Sequence, residues 1–203
     1  MNVTPSFWQQ ALDVWEKGGS LMPVLAALSV YAYYIGFDLW FRLQAMLPSR
    51  RDAKTIVHVA ANPGKAVGRL RSILGHCLEK RHDREETRRR FEEARAVDAS
   101  FLGRRIRFLL VLTSVAPLLG LLGTVNGMLL TFDGLSRHIG RKMDLVAGGI
   151  SEALVTTQAG LLIAIPAFAL AHLVSRRRHE WLYLLRRLES HALQANDSIP
   201  KTS

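Results

Sequence analysis

The stretch Phe108-Leu109-Leu110-Val111-Leu112-Thr113-Ser114-Val115-Ala116-Pro117-Leu118-Leu119-Gly120-Leu121-Leu122-Gly123-Thr124-Val125-Asn126-Gly127-Met128-Leu129-Leu130-Thr131-Phe132 runs for twenty-five residues without a charge, between Arg107 and Asp133. A helix needs about 20 apolar residues to cross the hydrocarbon core of a bilayer. Backbone N–H and C=O groups find no water there, so such a run satisfies them internally as a helix. The run is also dense in small and hydroxylated residues. Gly123 and Gly127 form a GxxxG pair, and Ala116, Gly120 and Thr124 repeat every four residues. Lipid tails are as apolar as leucine, so helices associate in a membrane by close van der Waals approach and interhelical hydrogen bonds, which small residues permit. Pro117 removes one backbone hydrogen bond and bends the helix unless a neighbour compensates.

Working outward, two further apolar blocks flank this one. Leu145–Ser175 is interrupted only by Glu152 and His172, and Leu21–Phe41 is uncharged as far as Phe37. The first block qualifies as a span if Asp38 sits at the interface. The chain averages decide little: 49% hydrophobic residues and a mean hydropathy of +0.10 suit a soluble domain as well. The clustering decides more, because a soluble domain of 203 residues rarely hides three such helices on all sides. The expected fold class is therefore an all-α integral membrane protein with three transmembrane helices. Its segments are an amphipathic N-terminal helix in 1–20, spans at 21–41, 108–132 and 148–175, a helical region at 42–107, a loop at 133–147 and a tail at 176–203.

The third span repeats the logic of the second. Gly149, Ala153 and Thr157 recur every four residues, as do Glu152, Thr156 and Gly160. Two adjacent small or polar faces imply contact with more than one neighbour. Pro166 is a second breaker in mid-span. Glu152 stands apart, because an ionisable group within a span costs at least ~2.5 kcal/mol and usually faces a bundle interior or an aqueous path. Its blander reading is an interfacial carboxylate; for Thr156 and Thr157 it is back-bonding to the i−4 carbonyl. Taken with Thr124, a polar-lined inner surface is the reading preferred here.

Loop charge sets the orientation. Residues 42–107 hold 17 Lys/Arg against 8 Asp/Glu, and the segment from Arg176 onward holds 6 against 3. Residues 133–144 hold 3 against 2, and Lys17 is the single base before Leu21. Basic segments stay in the cytoplasm, so the N-terminus and the 133–147 loop are expected outside. The net charge of +10 is then mainly a topology signal. No nucleic-acid partner is expected from Arg88-Arg89-Arg90, because Asp83, Glu85, Glu86, Glu92 and Glu93 interleave with it as on a solvated helix face. No secretory signal is read at the N-terminus, which lacks a basic n-region.

Trp8, Ala11, Leu12 and Trp15 share one face of Ser6–Lys17, as in a helix lying in the membrane interface with lipid as its partner. Asp38 and Arg42 are spaced to pair on one helical face. Asn62-Pro63-Gly64 marks a turn, after which Val67, Leu70, Ile73, Leu74, Cys77 and Leu78 form an apolar stripe. From Asp83 no breaker occurs until Gly103, so one helix is expected to run into the second span. His76, Cys77 and His82 fit no usual zinc spacing, and no metal or other cofactor is expected. Cys77 is the single cysteine and supports no disulfide framework.

Two runs resemble a known family. Ala116-Pro117-Leu118-Leu119-Gly120-Leu121-Leu122-Gly123-Thr124-Val125 resembles a signature of the MotA/TolQ/ExbB proton-channel family. So does Gly149-Ile150-Ser151-Glu152-Ala153-Leu154-Val155-Thr156-Thr157, followed by Gly160 and Ala164-Ile165-Pro166-Ala167. The match covers roughly Leu109–His172, and the three-span layout resembles ExbB and TolQ more than the four-span MotA. The resemblance implies a homopentamer whose second and third helices line a central pore, with long helices extending into the cytoplasm. It also implies an ExbD/TolR-like single-span partner whose membrane aspartate carries the proton, and a TonB- or TolA-like protein that is energised. Thr124 and Thr157 would face that aspartate, Glu152 matches the family's third-span glutamate, and Thr156 lies beside the matching threonine. Asn126 and Gln158 are polar where the family is mostly apolar or aromatic. The implied location is the bacterial inner membrane, with a periplasmic N-terminus and a cytoplasmic C-terminus.

Two other classes compete. A membrane scaffold would use its polar intramembrane residues only to specify helix packing. An intramembrane hydrolase needs a nucleophile and base at membrane depth; the spans offer only His172, near one end, and Ser151 has no visible base. No enzymatic activity is therefore expected.

Overall fold

The computed structural model describes residue 15 and residues 18–47, 68–78, 84–137 and 142–197. The expected N-terminal helix (Trp15 apart), the turn at Asn62-Pro63-Gly64 and His82 lie outside the described residues. The described residues form four α-helices: α1 (Met22–Met46), α2 (Arg69–Leu78), α3 (Arg84–Arg137) and α4 (Lys142–Asp197). A 3-10 turn, Gly19–Leu21, leads into α1. Three helical stretches are long and apolar enough to cross a membrane: Gly19–Met46, Arg84–Ser136 and Val146–Gln194, with mean hydropathies of 1.5, 2.2 and 1.8 in their most apolar parts. They contain the three expected spans.

The helices run further than the spans do. α3 is a single helix of 54 residues that begins at Arg84 and passes through Pro117. α4 covers 56 residues and passes through Pro166. The loop placed at 133–147 is shorter than its sequence suggested, because α3 continues to Arg137 and α4 starts at Lys142. The tail from Arg176 is helical as far as Asp197. No glycine or proline follows Pro166 before that point, so nothing breaks the helical period.

The chain forms two compact units, Met1–Gly36 with Phe108–Ala171, and Phe37–Arg107 with His172–Ser203. In the second unit, the expected stripe on α2 buries Leu70, Ile73, Leu74 and Cys77. Phe91 and Trp181 are its largest fully buried side chains. One buried carboxylate ties three helices together. Asp98 of α3 accepts from Arg69 Nε of α2 at 3.1 Å and from Arg69 Nη2, and Trp181 Nε1 of α4 donates to it at 3.0 Å. That carboxylate holds the Arg69 guanidinium above its ordinary pKa, chiefly through the hydrogen bond. Arg95 and Glu189 pair at 2.9 Å, and Arg178 Nη2 donates to the Ala99 carbonyl at 3.1 Å.

The expected pair of Asp38 and Arg42 is present at 2.8 Å, and Arg105 joins it at 2.8 Å. Arg177 lies over the Trp40 ring at 5.4 Å, and Arg105 over Phe101 at 5.1 Å. Along the exposed start of α3, Glu86–Arg90, Arg88–Glu92 and Arg89–Glu93 pair one turn apart. Its charges thus answer one another on a solvated face.

Candidate functional site

The unit Met1–Gly36 with Phe108–Ala171 holds the expected polar residues, and its geometry follows from where small side chains fall. α3 and α4 lie antiparallel along a seam that keeps one register. At one end Gly149 packs on Thr131, so that a Cβ there would overlap the Thr131 hydroxyl. Next, a Cβ on Gly127 would come within 3.0 Å of the Gly149 carbonyl and 3.1 Å of the Ala153 Cβ. Gly123 meets Thr156, again with no room for a Cβ. Gly120 faces the backbone of Thr156 and Thr157, with only 3.1 Å to the Thr157 Cα. Beyond it, Gly160 meets Ala116 and Gly120, a Cβ there lying 2.8 Å from the Ala116 carbonyl. Five glycines named from sequence, Gly120, Gly123, Gly127, Gly149 and Gly160, therefore stand in one interface.

That seam mixes spacings of three and four. On α3 it takes Ala116, Gly120, Gly123, Gly127 and Thr131, all buried. With 3.6 residues per turn, a strict four-residue row drifts around the helix, whereas mixed spacing holds one face. Thr124, from the Ala116–Gly120 row, consequently leaves the seam. It is half-buried and donates to the Leu121 carbonyl at 2.7 Å.

The hydroxyls of the seam differ in what they do. Thr157 reaches across, donating to the Gly120 carbonyl at 3.1 Å, which is an interhelical hydrogen bond inside the span. Thr156 is 2% exposed and is directed to carbonyls of its own helix, Ala153 at 2.9 Å and Glu152 at 3.2 Å. Thr131 likewise donates to the Gly127 carbonyl at 2.8 Å. The back-bonding alternative holds for Thr156, while Thr157 combines a long back-bond of 3.4 Å to Ala153 with its interhelical one. Asn126 is half-buried, and Gln158 is exposed.

A second face of α4 packs on α1, the two helices running parallel. Glu152 lies against Gly19, Ala159 and Ile163 pack against a cluster containing Met22 and Leu25, and Leu170 fills the space at Gly36. Ala116 and Ala164 join that cluster, so all three spans meet there. Deeper along the seam, Ala32, Leu109 and Ala171 form another apolar contact. The Tyr33 hydroxyl donates to the Ile163 carbonyl at 3.1 Å. Both rows read in the third span meet α3, through Gly149, Ala153 and Thr157 and through Thr156 and Gly160; of these residues only Glu152 turns to the α1 side. Sequence reasoning missed the α1 side, namely Gly19, Gly36 and Tyr33, and also missed Thr131. The available signal was the pair of glycines bounding an otherwise bulky, aromatic span.

Glu152 is half-buried, and its carboxylate belongs to the α1 face of α4, whereas Thr157 belongs to the α3 face. The outer surface of the unit is apolar. Val30, Tyr34, Leu118, Leu121, Leu129, Leu154, Leu162 and Ile165 are all exposed, as suits lipid or a further helix. Among the described residues, no group of three His, Cys, Asp or Glu side chains could hold a metal ion.

These features define a helical membrane subunit with three spans, closely packed by glycine and carrying hydroxyls and a carboxylate at membrane depth. The chain belongs to the MotA/TolQ/ExbB proton channel family, which matches residues 64–186. It is similar to the putative biopolymer transport protein ExbB-like 1 of Synechocystis, 34% identical over 186 residues that cover 81% of this chain and 72% of that protein. It is also similar to the biopolymer transport protein ExbB of Salmonella typhimurium, 34% identical over 46% of this chain and 38% of that one. The Tol-Pal system protein TolQ of Haemophilus influenzae is 46% identical over 32% of this chain and 29% of its own length. The matched parts thus span well under half of the Salmonella and Haemophilus proteins, and they are ExbB/TolQ-type subunits.

Proposed function

We propose that this chain is the multi-span subunit of a proton-driven motor in the bacterial inner membrane, of the ExbB/TolQ kind. Five copies would surround a central pore lined by α3 and α4, and an ExbD/TolR-like single-span partner would occupy it. Proton passage past the partner's membrane aspartate would move the partner and energise a TonB- or TolA-like protein. The chain would transform no substrate. The asymmetry of basic residues supports a periplasmic N-terminus and 133–147 loop and a cytoplasmic 42–107 region and C-terminus.

The observation that supports this reading is the pair of hydroxyls on α3 and α4 about Gly120: Thr124 lies one turn along α3 from Gly120, and Thr157 of α4 donates to the Gly120 carbonyl. A partner carboxyl that gains and loses a proton needs hydrogen-bonding groups at its own depth, because an unsatisfied charge in hydrocarbon is costly. Thr124 and Thr157 are assigned to face it, with Glu152 supporting the same pathway near its outer end. Thr156 contributes the close packing that keeps that surface in place. Replacing Glu152 with Ala, or both Thr124 and Thr157 with Val, should abolish proton-dependent function while assembly survives. Wild-type activity in these variants would sink the mechanism.

One observation favours a scaffold instead: the Thr124, Thr131 and Thr156 hydroxyls bond to carbonyls of their own helices. Co-expression with the neighbouring gene product separates the two readings. A scaffold would retain no single-span partner carrying a membrane aspartate.

A further inference from the structure

Helix α1 and helix α4 run parallel, and each end of their contact is a glycine, one in the 3-10 turn before α1 and one within α1, that receives a side chain of α4. At one end Leu170 fills the space beside Gly36, where a Cβ would overlap its Cδ2. At the other end Glu152 lies over Gly19, where a Cβ would overlap Oε1 and come within 2.8 Å of Cδ. The two glycines are 17 positions apart, and Glu152 and Leu170 are 18 apart. The stretch between them is held by the Met22 and Leu25 cluster with Ala159 and Ile163, and by the Tyr33 to Ile163 hydrogen bond. Gly19 also has φ +62°, in the left-handed region that side chains avoid. Glycine is therefore required at this position for two reasons, its backbone conformation and the carboxylate above it. A carboxylate at a helix start also meets the partial positive charge of the first turn.

We propose that Glu152 is a positioning residue: its side chain seats in the notch at Gly19 and fixes the start of the first span against the third. The inference rests on the proton-pathway reading above and sharpens it. Glu152 influences the pathway by holding α4 in register with α1, while Thr157, on the α3 face, stays beside Gly120. The third-span carboxylate and the seam hydroxyl thus act on different neighbours.

A double-substitution cycle on the full-length, detergent-purified protein tests this. Gly19→Ala should lower the thermal midpoint by several degrees in the native background. It should lower it clearly less in a Glu152→Ala background, because removing the carboxylate vacates the notch; the backbone strain at residue 19 is common to both arms and cancels. An equal loss in both backgrounds would overturn the proposal. A second measurement does not depend on Gly19→Ala folding. With Cys77→Ser as the background, cysteines placed at 19 and 152 should form an intrachain disulfide on mild oxidation, while a pair at 124 and 152 should not. Failure of the first pair to cross-link, with both thiols open to maleimide, would equally overturn it. Neither readout depends on proton flux, so they can fail while the Thr124 and Thr157 test succeeds, or the reverse.

Discussion

The hydroxyl of Tyr33 in the first span donates to the carbonyl of Ile163, 3.1 Å away and three residues before Pro166. Proline lacks the N–H that would close the preceding turn, and its ring crowds the carbonyl side of that turn. Tyr33 bonds the carbonyl next to that of Leu162, which Pro166 leaves without its helical donor, and so ties the third span to the first beside the proline.

Tyr33→Phe removes that donor while keeping the ring. Interhelical hydrogen bonds in membranes average about 0.6 kcal/mol, so a loss of about 0.5–1.5 kcal/mol is expected. Thermal unfolding in detergent measures it.

Adjacent glycines should respond in opposite ways. Gly149 packs on Thr131, so Gly149→Ala must push the α3–α4 pair apart, at a cost of about 1–3 kcal/mol. Gly148 has open space where its Cβ would be, so Gly148→Ala should be neutral or stabilise by up to about 1 kcal/mol through helix propensity. Comparison of the two thermal midpoints decides it. Equal losses would mean that the seam is not where the glycines meet.

Asp98 is the hub of the other unit. Asp98→Ala leaves Arg69 without its acceptor and the buried Trp181 Nε1 unpaired. The Arg69 side chain is 46% exposed and can turn to water, so the cost should fall near about 2 kcal/mol rather than that of a fully buried pair. Asp98→Asn, which can still accept from Trp181, should recover part of this. The change in tryptophan emission on melting gives the readout.

Burial pushes the Cys77 thiol up to about 11, and its side chain is only 1% exposed. The native protein should therefore resist maleimide at neutral pH, and the denatured chain should react at once. The sign of the pH effect follows from the raised value. Cys77 favours the folded state fully below the unfolded value of 9.0, and that contribution fades as pH climbs from there through about 11. A Cys77→Ala variant should show a flatter stability profile between those limits.

Much of this was legible in the chain because bilayer constraints act on local composition. A run without charge, such as Phe108–Phe132, has few ways to satisfy its backbone other than as a helix. Gly123 and Gly127, or Gly149 and Ala153, announced close packing because no other residues allow it. The exact face was less legible. Thr124 was grouped with Ala116 and Gly120 by its spacing of four, yet it turns out of the seam because each step of four overshoots a helical turn. The loop at 133–147 looked longer than it is, since weak polarity near Asp133 does not stop a helix when no proline intervenes.

The sequence by itself determined the three spans, the basic and less basic loops, the glycine-rich helix pair and the residues that carry polar groups to membrane depth. Each of these depends on the identity of residues close together in the chain. Only the tertiary structure decided that Glu152 meets Gly19 rather than the α3 face, that Tyr33 meets the Ile163 carbonyl, and that Asp98 gathers Arg69 and Trp181. These pairs lie between 29 and 133 residues apart in the chain. No helical period links them, and each depends on how whole helices are rotated and set in register, which the summed packing of every seam decides at once.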